Sequence, residues 1–194
     1  WNWYSGGWND AVAGTPDPLF QYHHQPFNYF MNYAPGMPGR SHLKDEDEFV
    51  EAATDGTLPA VSFVKPIGEE NEHPGYASEP DGSDHLVDLL QAIENSKCKE
   101  NTLVLVTYDE FGGQWDHVPP PGQGNDNGPH DQWGPGTRIP ALVLGPHLKG
   151  PFVVDHTEYD TTAVLTTIEQ RYGLAPLSPR DAAMNSLANV FDAH

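Results

Sequence analysis

Apolar and polar positions follow three different periods along this chain. Leu103, Val104, Leu105 and Val106 form a continuous apolar run, the pattern of a strand buried on both faces, and predict a central strand. Residues 45–56, DEDEFVEAATDG, crowd acids into a first turn where the helix dipole favours them, set Phe49, Val50 and Ala53 on one face and stop at Gly56, which predicts a short helix. Residues 60–64, between Pro59 and Pro66, predict a strand, and residues 68–84 a turn-rich loop. From Ser83 as N-cap, Leu86, Leu89, Leu90 and Ile93 recur at spacings of three and four and predict an amphipathic helix to about Ser96. Strand, helix and apolar strand in that order predict a βαβ unit with a right-handed crossover and a site at the strands' carboxyl ends. A glycine-rich loop at 122–137 leads to a third strand at 140–144. Residues 156–173 predict a helix with Val164, Ile168 and Tyr172 on one face, and residues 181–191 a shorter one. Residues 1–42 hold no sustained period and read as packed irregular chain with short helical pieces; neither an internal repeat nor a linker is found.

Composition narrows the class. The 194 residues fit one domain with a real core. With 9 Lys and Arg against 28 Asp and Glu, the formal charge is −19 and no basic stripe interrupts it, so nucleic acid and anionic membrane faces are repelled. Some of those carboxylates are available to hold cations. Cys98 is the lone cysteine, which excludes an internal disulfide framework and a cysteine-based zinc cluster. No apolar run reaches the roughly 20 residues of a membrane helix. The opening WNWYSGGWND is neither a signal peptide nor a Met start. The 19 Gly and 19 Pro, accompanied by 5 Trp and 8 Tyr, describe long ordered loops rather than disorder.

Chemistry concentrates where the apolar strand ends. In TLVLVTYDEFGGQWDHVPPP, Asp109 and Glu110 follow the strand, Gly112 and Gly113 free the backbone, and Asp116 and His117 come next. An acid pair at a strand end is ordinarily a solvated turn. Beside two glycines, however, both carboxylates can turn toward one point, and two hard oxygen donors at one point attract a divalent cation. Asp116 and His117 offer a further acid and an imidazole as metal ligand, proton donor or phosphate contact. His23 and His24, in FQYHHQPFNYF, sit among aromatic side chains, where the competing reading is a packed loop with one imidazole hydrogen-bonded internally. His73 alone is an ordinary loop histidine. His42, His85, His130, His147, His156 and His194 receive no role from spacing. The aromatic group Trp1, Trp3, Tyr4 and Trp8 reads most simply as buried packing, and also has the chemistry of a cation–π cage.

Taken together, VTYDEFGGQWDHVPPP, WYSGGW, FQYHHQPFNYF, HPGY at 73–76 and the closing TIEQRYGL resemble, in order and across the whole chain, the acid phosphatase and phospholipase C branch of the alkaline phosphatase superfamily. The resemblance implies a three-layer α/β/α sandwich with a mostly parallel central sheet, of which this chain supplies only part. It implies metal-dependent hydrolysis of phosphate esters, foremost phosphomonoesters as in an acid phosphatase, alternatively the phosphodiester head groups of a phospholipase C substrate. Carried over residue by residue, Asp109 and Glu110 match the metal-binding acid pair. His24 and His73 match histidines lining the phosphate pocket, as catalytic groups, and His23 and His117 are carried as substrate-binding positions. The metal is a divalent ion of open identity.

The family's Glu-Asn metal motif and its Ser or Thr nucleophile lie upstream of WYSGGW, so the resemblance implies that residues 1–194 are the C-terminal part of one phosphoesterase catalytic domain. Its partner is then an N-terminal segment of the same enzyme, whether continuous or a separate polypeptide, without which this chain would expose strand edges and hydrolyse nothing. Secretion or a periplasmic home follows from the resemblance alone. The rival reading is a non-catalytic fragment that keeps the fold and only binds; it gives no reason for the acid pair and histidines.

Overall fold

The computed structural model describes residues 1–122, 124 and 128–192. The chain divides into two compact units, Trp1–Thr102 and Leu103–His194, and its architecture is mixed α/β.

The first unit is organised by a three-stranded parallel sheet. Strand β1 (Asn2–Ser5) lies between β2 (Leu43–Lys44) and β3 (Ser62–Lys65), with Trp3 opposite both Leu43 and Phe63. This corrects the irregular reading of residues 1–42: four of the first five residues form the central strand, and helix α1 (Trp8–Ala13) follows them. The remainder of that segment is a string of short 3-10 turns, as its lack of period implied. Trp8, Phe20 and Leu43 form a buried cluster against which Ala11, Phe27 and Tyr33 pack.

Helix α2 (Glu46–Asp55) forms where the acids and Gly56 predict it. Asp45 caps it: its Oδ1 accepts from the Asp47 amide, while the Glu48 carboxylate reaches back to the Asp45 amide at 2.9 Å, a complete capping box. Gly56 ends it at φ 75°, a left-handed conformation that favours glycine. Phe49 and Ala53 face inward, and the Phe49 ring meets Tyr4 of β1 edge-on at 5.5 Å.

Helix α3 (Glu79–Glu94) starts earlier than Ser83, because Ser78 Oγ accepts from the Asp81 amide and Pro80 sits in the first turn, where its missing N–H costs nothing. The stretch EPDGSD, expected as loop, is therefore helix. Before α3, the 3-10 turn Gly68–Glu70 packs against its side.

The second unit contains β4 (Val104–Thr107) and β5 (Ala141–Leu144), paired antiparallel with Val104 opposite Leu144 and Thr107 opposite Ala141. Among the described residues the predicted βαβ unit is not formed: β3 pairs with β1, whereas β4 pairs with β5. Nor is the apolar run a central strand among the described residues, since its one ladder partner is β5 and residues 103–106 are half-buried. Of the expected loop at 122–137, residues 123 and 125–127 lie outside the described residues, as does His194.

Helix α4 (Ala163–Tyr172) begins later than position 156. The predicted helix at 181–191 is split into α5 (Pro179–Ala183) and a 3-10 turn, Leu187–Val190, by extended backbone at Met184 (ψ 147°). Asp181, 1 % exposed, ties this end together: its carboxylate accepts from the Leu177 amide at 2.7 Å and from the Ser178 hydroxyl, and its carbonyl accepts from Thr166 Oγ1 at 2.8 Å. Among the described residues, no helix is long and apolar enough to cross a membrane.

Candidate functional site

Asp109 and Glu110 lie directly beyond β4 on exposed chain. Gly112 and Gly113 that follow both have positive φ, 62° and 70°, so the turn needs the glycines the sequence supplies. Glu110 Oε2 accepts from the Gly112 amide at 2.8 Å, which holds that carboxylate over the turn.

Further along the loop, Asp116 is occupied. Arg138 Nε and Nη2 donate to its two oxygens at 2.7 and 3.0 Å, and the Val118 amide donates to Oδ1 at 2.8 Å. The bidentate guanidinium, with the amide second, lowers the Asp116 pKa to about 2. His117 stays exposed, its Nδ1 3.4 Å from Asp116 Oδ1. Arg138 was not legible as a site residue, since it lies across the loop from its partner.

The histidines of the first unit have contrasting surroundings. His24 is 6 % exposed in the 3-10 turn Tyr22–His24, and its carbonyl accepts from Trp3 Nε1 at 2.7 Å, tying the turn to β1. His23 is exposed, with its ring perpendicular to that of His24 at 4.6 Å. His73 is exposed and stacked on Tyr76 at 4.4 Å, and its Nδ1 lies 2.8 Å from the Pro74 carbonyl. A carbonyl only accepts, so this contact places a proton on Nδ1. Thus His23, His24 and His73 belong to the first unit, and Asp109, Glu110 and His117 to the second.

The aromatic cage chemistry is used internally. Trp1 stacks on His42 at 4.4 Å, Trp3 on Phe63 at 5.0 Å, and the Arg40 guanidinium covers Trp8 at 4.6 Å. Their ring faces serve packing and an internal cation–π contact.

Sequence reasoning missed a cluster in the first unit. Glu46 opens α2, Glu70 ends the 3-10 turn and His85 lies on α3, and one ligand atom of each falls within 4.8 Å of the others. His85 Nε2 is 2.6 Å from Glu46 Oε1, and its Nδ1 is 3.5 Å from Glu70 Oε2. The Glu46 carboxylate is the largest cause of a raised His85 pKa, and burial raises that of Glu70. The three residues come from segments without a shared motif, so no local spacing announces them.

The profile of the Phosphoesterase family matches residues 1–175, and the chain belongs to that family. It is 31 % identical over 169 residues to phospholipase C B of Mycobacterium tuberculosis, covering 75 % of this chain and 32 % of that protein. It is 28 % identical over 182 residues to phospholipase C A of the same organism, covering 82 % and 33 %. A non-hemolytic phospholipase C of Burkholderia pseudomallei is 29 % identical over 200 residues, covering 87 % and 28 %. The chain thus spans about a third of the length of these relatives.

Proposed function

We propose that this chain contributes the metal-binding acids and pocket histidines of a metal-dependent phosphoric ester hydrolase with the three-layer α/β/α sandwich of the alkaline phosphatase type. The observation that carries the reading is the adjacent pair Asp109 and Glu110 on a glycine-built turn at the carboxyl end of β4, inside the family match. Two neighbouring carboxylates on open chain are the hard oxygen donors that suit a divalent cation. When bound there, such an ion would offset negative charge that develops on phosphoryl oxygens.

His24 and His73 are the catalytic candidates, binding phosphoryl oxygens or protonating the leaving oxygen, and the exposed ring of His73 suits either task. His23 and His117, both exposed, are the substrate-contact candidates. In this reading, residues 1–194 are the C-terminal part of one catalytic domain, whose nucleophile and remaining metal ligands come from an N-terminal segment, and the enzyme is secreted or periplasmic. The relatives' greater length supports that division.

Phosphomonoesters are the leading substrates, as in an acid phosphatase. The phospholipase C relatives supply the second reading, diesters with a head group. The test is Asp109→Asn in the intact protein, assayed on an aryl phosphate and on a choline phosphodiester in competition. Loss of a charged ligand lowers hydrolysis by more than about 100-fold. Activity within a few-fold of the parent overturns the role of Asp109, and strong preference for the choline diester replaces the monoester reading with the phospholipase C one.

A further inference from the structure

We propose that Glu46, Glu70 and His85 form a second cation site, one that takes a borderline divalent transition ion of the zinc type and staples α2, the Gly68–Glu70 turn and α3 together. The geometry that carries it is a convergence from three separate elements: one donor atom from each residue lies within 4.8 Å of the other two. About 3.4 Å separates donors on a tetrahedral ion with bonds of about 2.1 Å. The Glu46 Oε1–His85 Nε2 pair, 2.6 Å apart as a hydrogen bond, would open to that spacing as an ion displaces the shared proton, and the partly exposed Glu70 side chain has room to move in.

A second observation points to a ligand. Glu46 is 7 % exposed, and its Oε2 has no hydrogen-bond partner, its other oxygen being the one that meets His85 Nε2 at 2.6 Å. A buried carboxylate oxygen left unpaired is destabilising, and it lies on the side chain that points at the imidazole. An ion among the three groups would satisfy that oxygen and take the place of the proton between Glu46 and the ring nitrogen. Two carboxylates and one imidazole form a mixed oxygen and nitrogen set, which suits zinc and its neighbours in the first transition row better than the all-oxygen sets of magnesium or calcium. The 37 % exposure of the Glu70 side chain provides the entry path and leaves a fourth position for water. None of these residues belongs to the Asp109–Glu110 pair, so the site is argued independently of the proposed activity.

The test is zinc binding to the intact protein by equilibrium dialysis, with His85→Asn, Glu70→Gln and the double variant Asp109→Asn/Glu110→Gln. The proposal expects one zinc equivalent to survive in the Asp109/Glu110 variant, to vanish in His85→Asn and to bind at least about 10-fold more weakly in Glu70→Gln. Because His85→Asn can disturb folding, cobalt is titrated into the unmutated protein as well, where it should broaden the His85 ring resonances and the amides of Glu46 and Glu70. Unchanged zinc stoichiometry and affinity in both His85→Asn and Glu70→Gln overturn the site, as does a His85 ring left sharp by stoichiometric cobalt. Loss of hydrolysis in Asp109→Asn with the His85-dependent zinc retained supports both readings; retained hydrolysis with that zinc retained sinks the functional one alone.

Discussion

Replacing Asp45 by alanine removes the residue that starts α2 and holds Glu46 in position. The Asp45 side chain makes two kinds of contact: Oδ1 accepts from the Asp47 amide in the capping box, and Oδ2 accepts from the Asn9 amide at 2.7 Å, joining α2 to α1. Losing an N-cap of this type costs about 1 kcal/mol. The bond from Asn9 ends on an ionised acceptor, which adds about 1.5 kcal/mol. Against this, Asp45 stands beside Glu46, Asp47 and Glu48, and its removal relieves like-charge repulsion of a few tenths of a kcal/mol. The balance is about 2 kcal/mol, and at 1.36 kcal/mol per decade it corresponds to about 30-fold faster opening of the first turns of α2. Hydrogen exchange of amides 47–50, compared between the intact protein and its Asp45→Ala variant, reads that factor directly, provided exchange proceeds by local opening. Asp45→Asn keeps one acceptor and turns an NH2 toward the other amide, so it should recover only part of the protection, that of one of the two contacts. Acceleration below about threefold in Asp45→Ala would refute the reasoning, because it would mean that water replaces both contacts at no net cost.

Other substitutions test different parts of the structure. Gly68→Ala places a Cβ 2.4 Å from the Leu19 carbonyl oxygen and 2.8 Å from Leu19 Cβ, so backbone has to move; destabilisation of about 1–3 kcal/mol is expected, measured as a lowered urea midpoint. The Asp116 carboxyl, lowered to about 2 by Arg138 from its ordinary 3.8, is held more acidic folded than unfolded. Its contribution to stability is therefore complete above about pH 4 and is lost as pH falls through about 2. An Asp116 carboxyl resonance that titrates near 2, and returns to the ordinary range in Arg138→Met, is the expected result.

The elements that were legible in the sequence carry their signals locally. Helix α2 is bounded by its acids and Gly56 within one short stretch, and the apolar run that became β4 is contiguous. The start of α3 was not legible because Pro80 and Gly82 punctuate turns as readily as first helical turns; only the Ser78 cap decides between them. Strand β1 was missed for a different reason. Asn2–Ser5 shows no apolar run of its own, and its strand character comes from ladders to residues 43–44 and 62–65. The βαβ expectation failed on the same ground, since element order says nothing about which strand edge β4 meets, and it meets β5.

The candidate site divides along a similar line, and charge explains the division. Asp109 and Glu110 could be read because a strand end and two glycines adjoin them, whereas His24 and His73 acquired roles only through the resemblance. Glu46 was read as an acid favoured by the helix dipole, which it also is. What the sequence does contain is an imbalance: 28 acids share 9 lysines and arginines. Partners are thus scarce, and the folded chain rations them. Asp116 takes Arg138, while Asp131 and Asp160 share Arg180. Glu169 and Asp181, both buried, have no such cation among the described residues and meet each other; burial, with Asp181 as the next cause, raises the Glu169 pKa toward the protonated form. Glu46 is the buried acid that meets an imidazole instead, with one oxygen still unpaired. In a chain so short of cationic side chains, a buried carboxylate is met by an arginine, a proton, an ion from solution or, as at Asp45 and Asp181, by amide and hydroxyl donors, and Glu46 with its unpaired oxygen is where the ion fits the donors at hand.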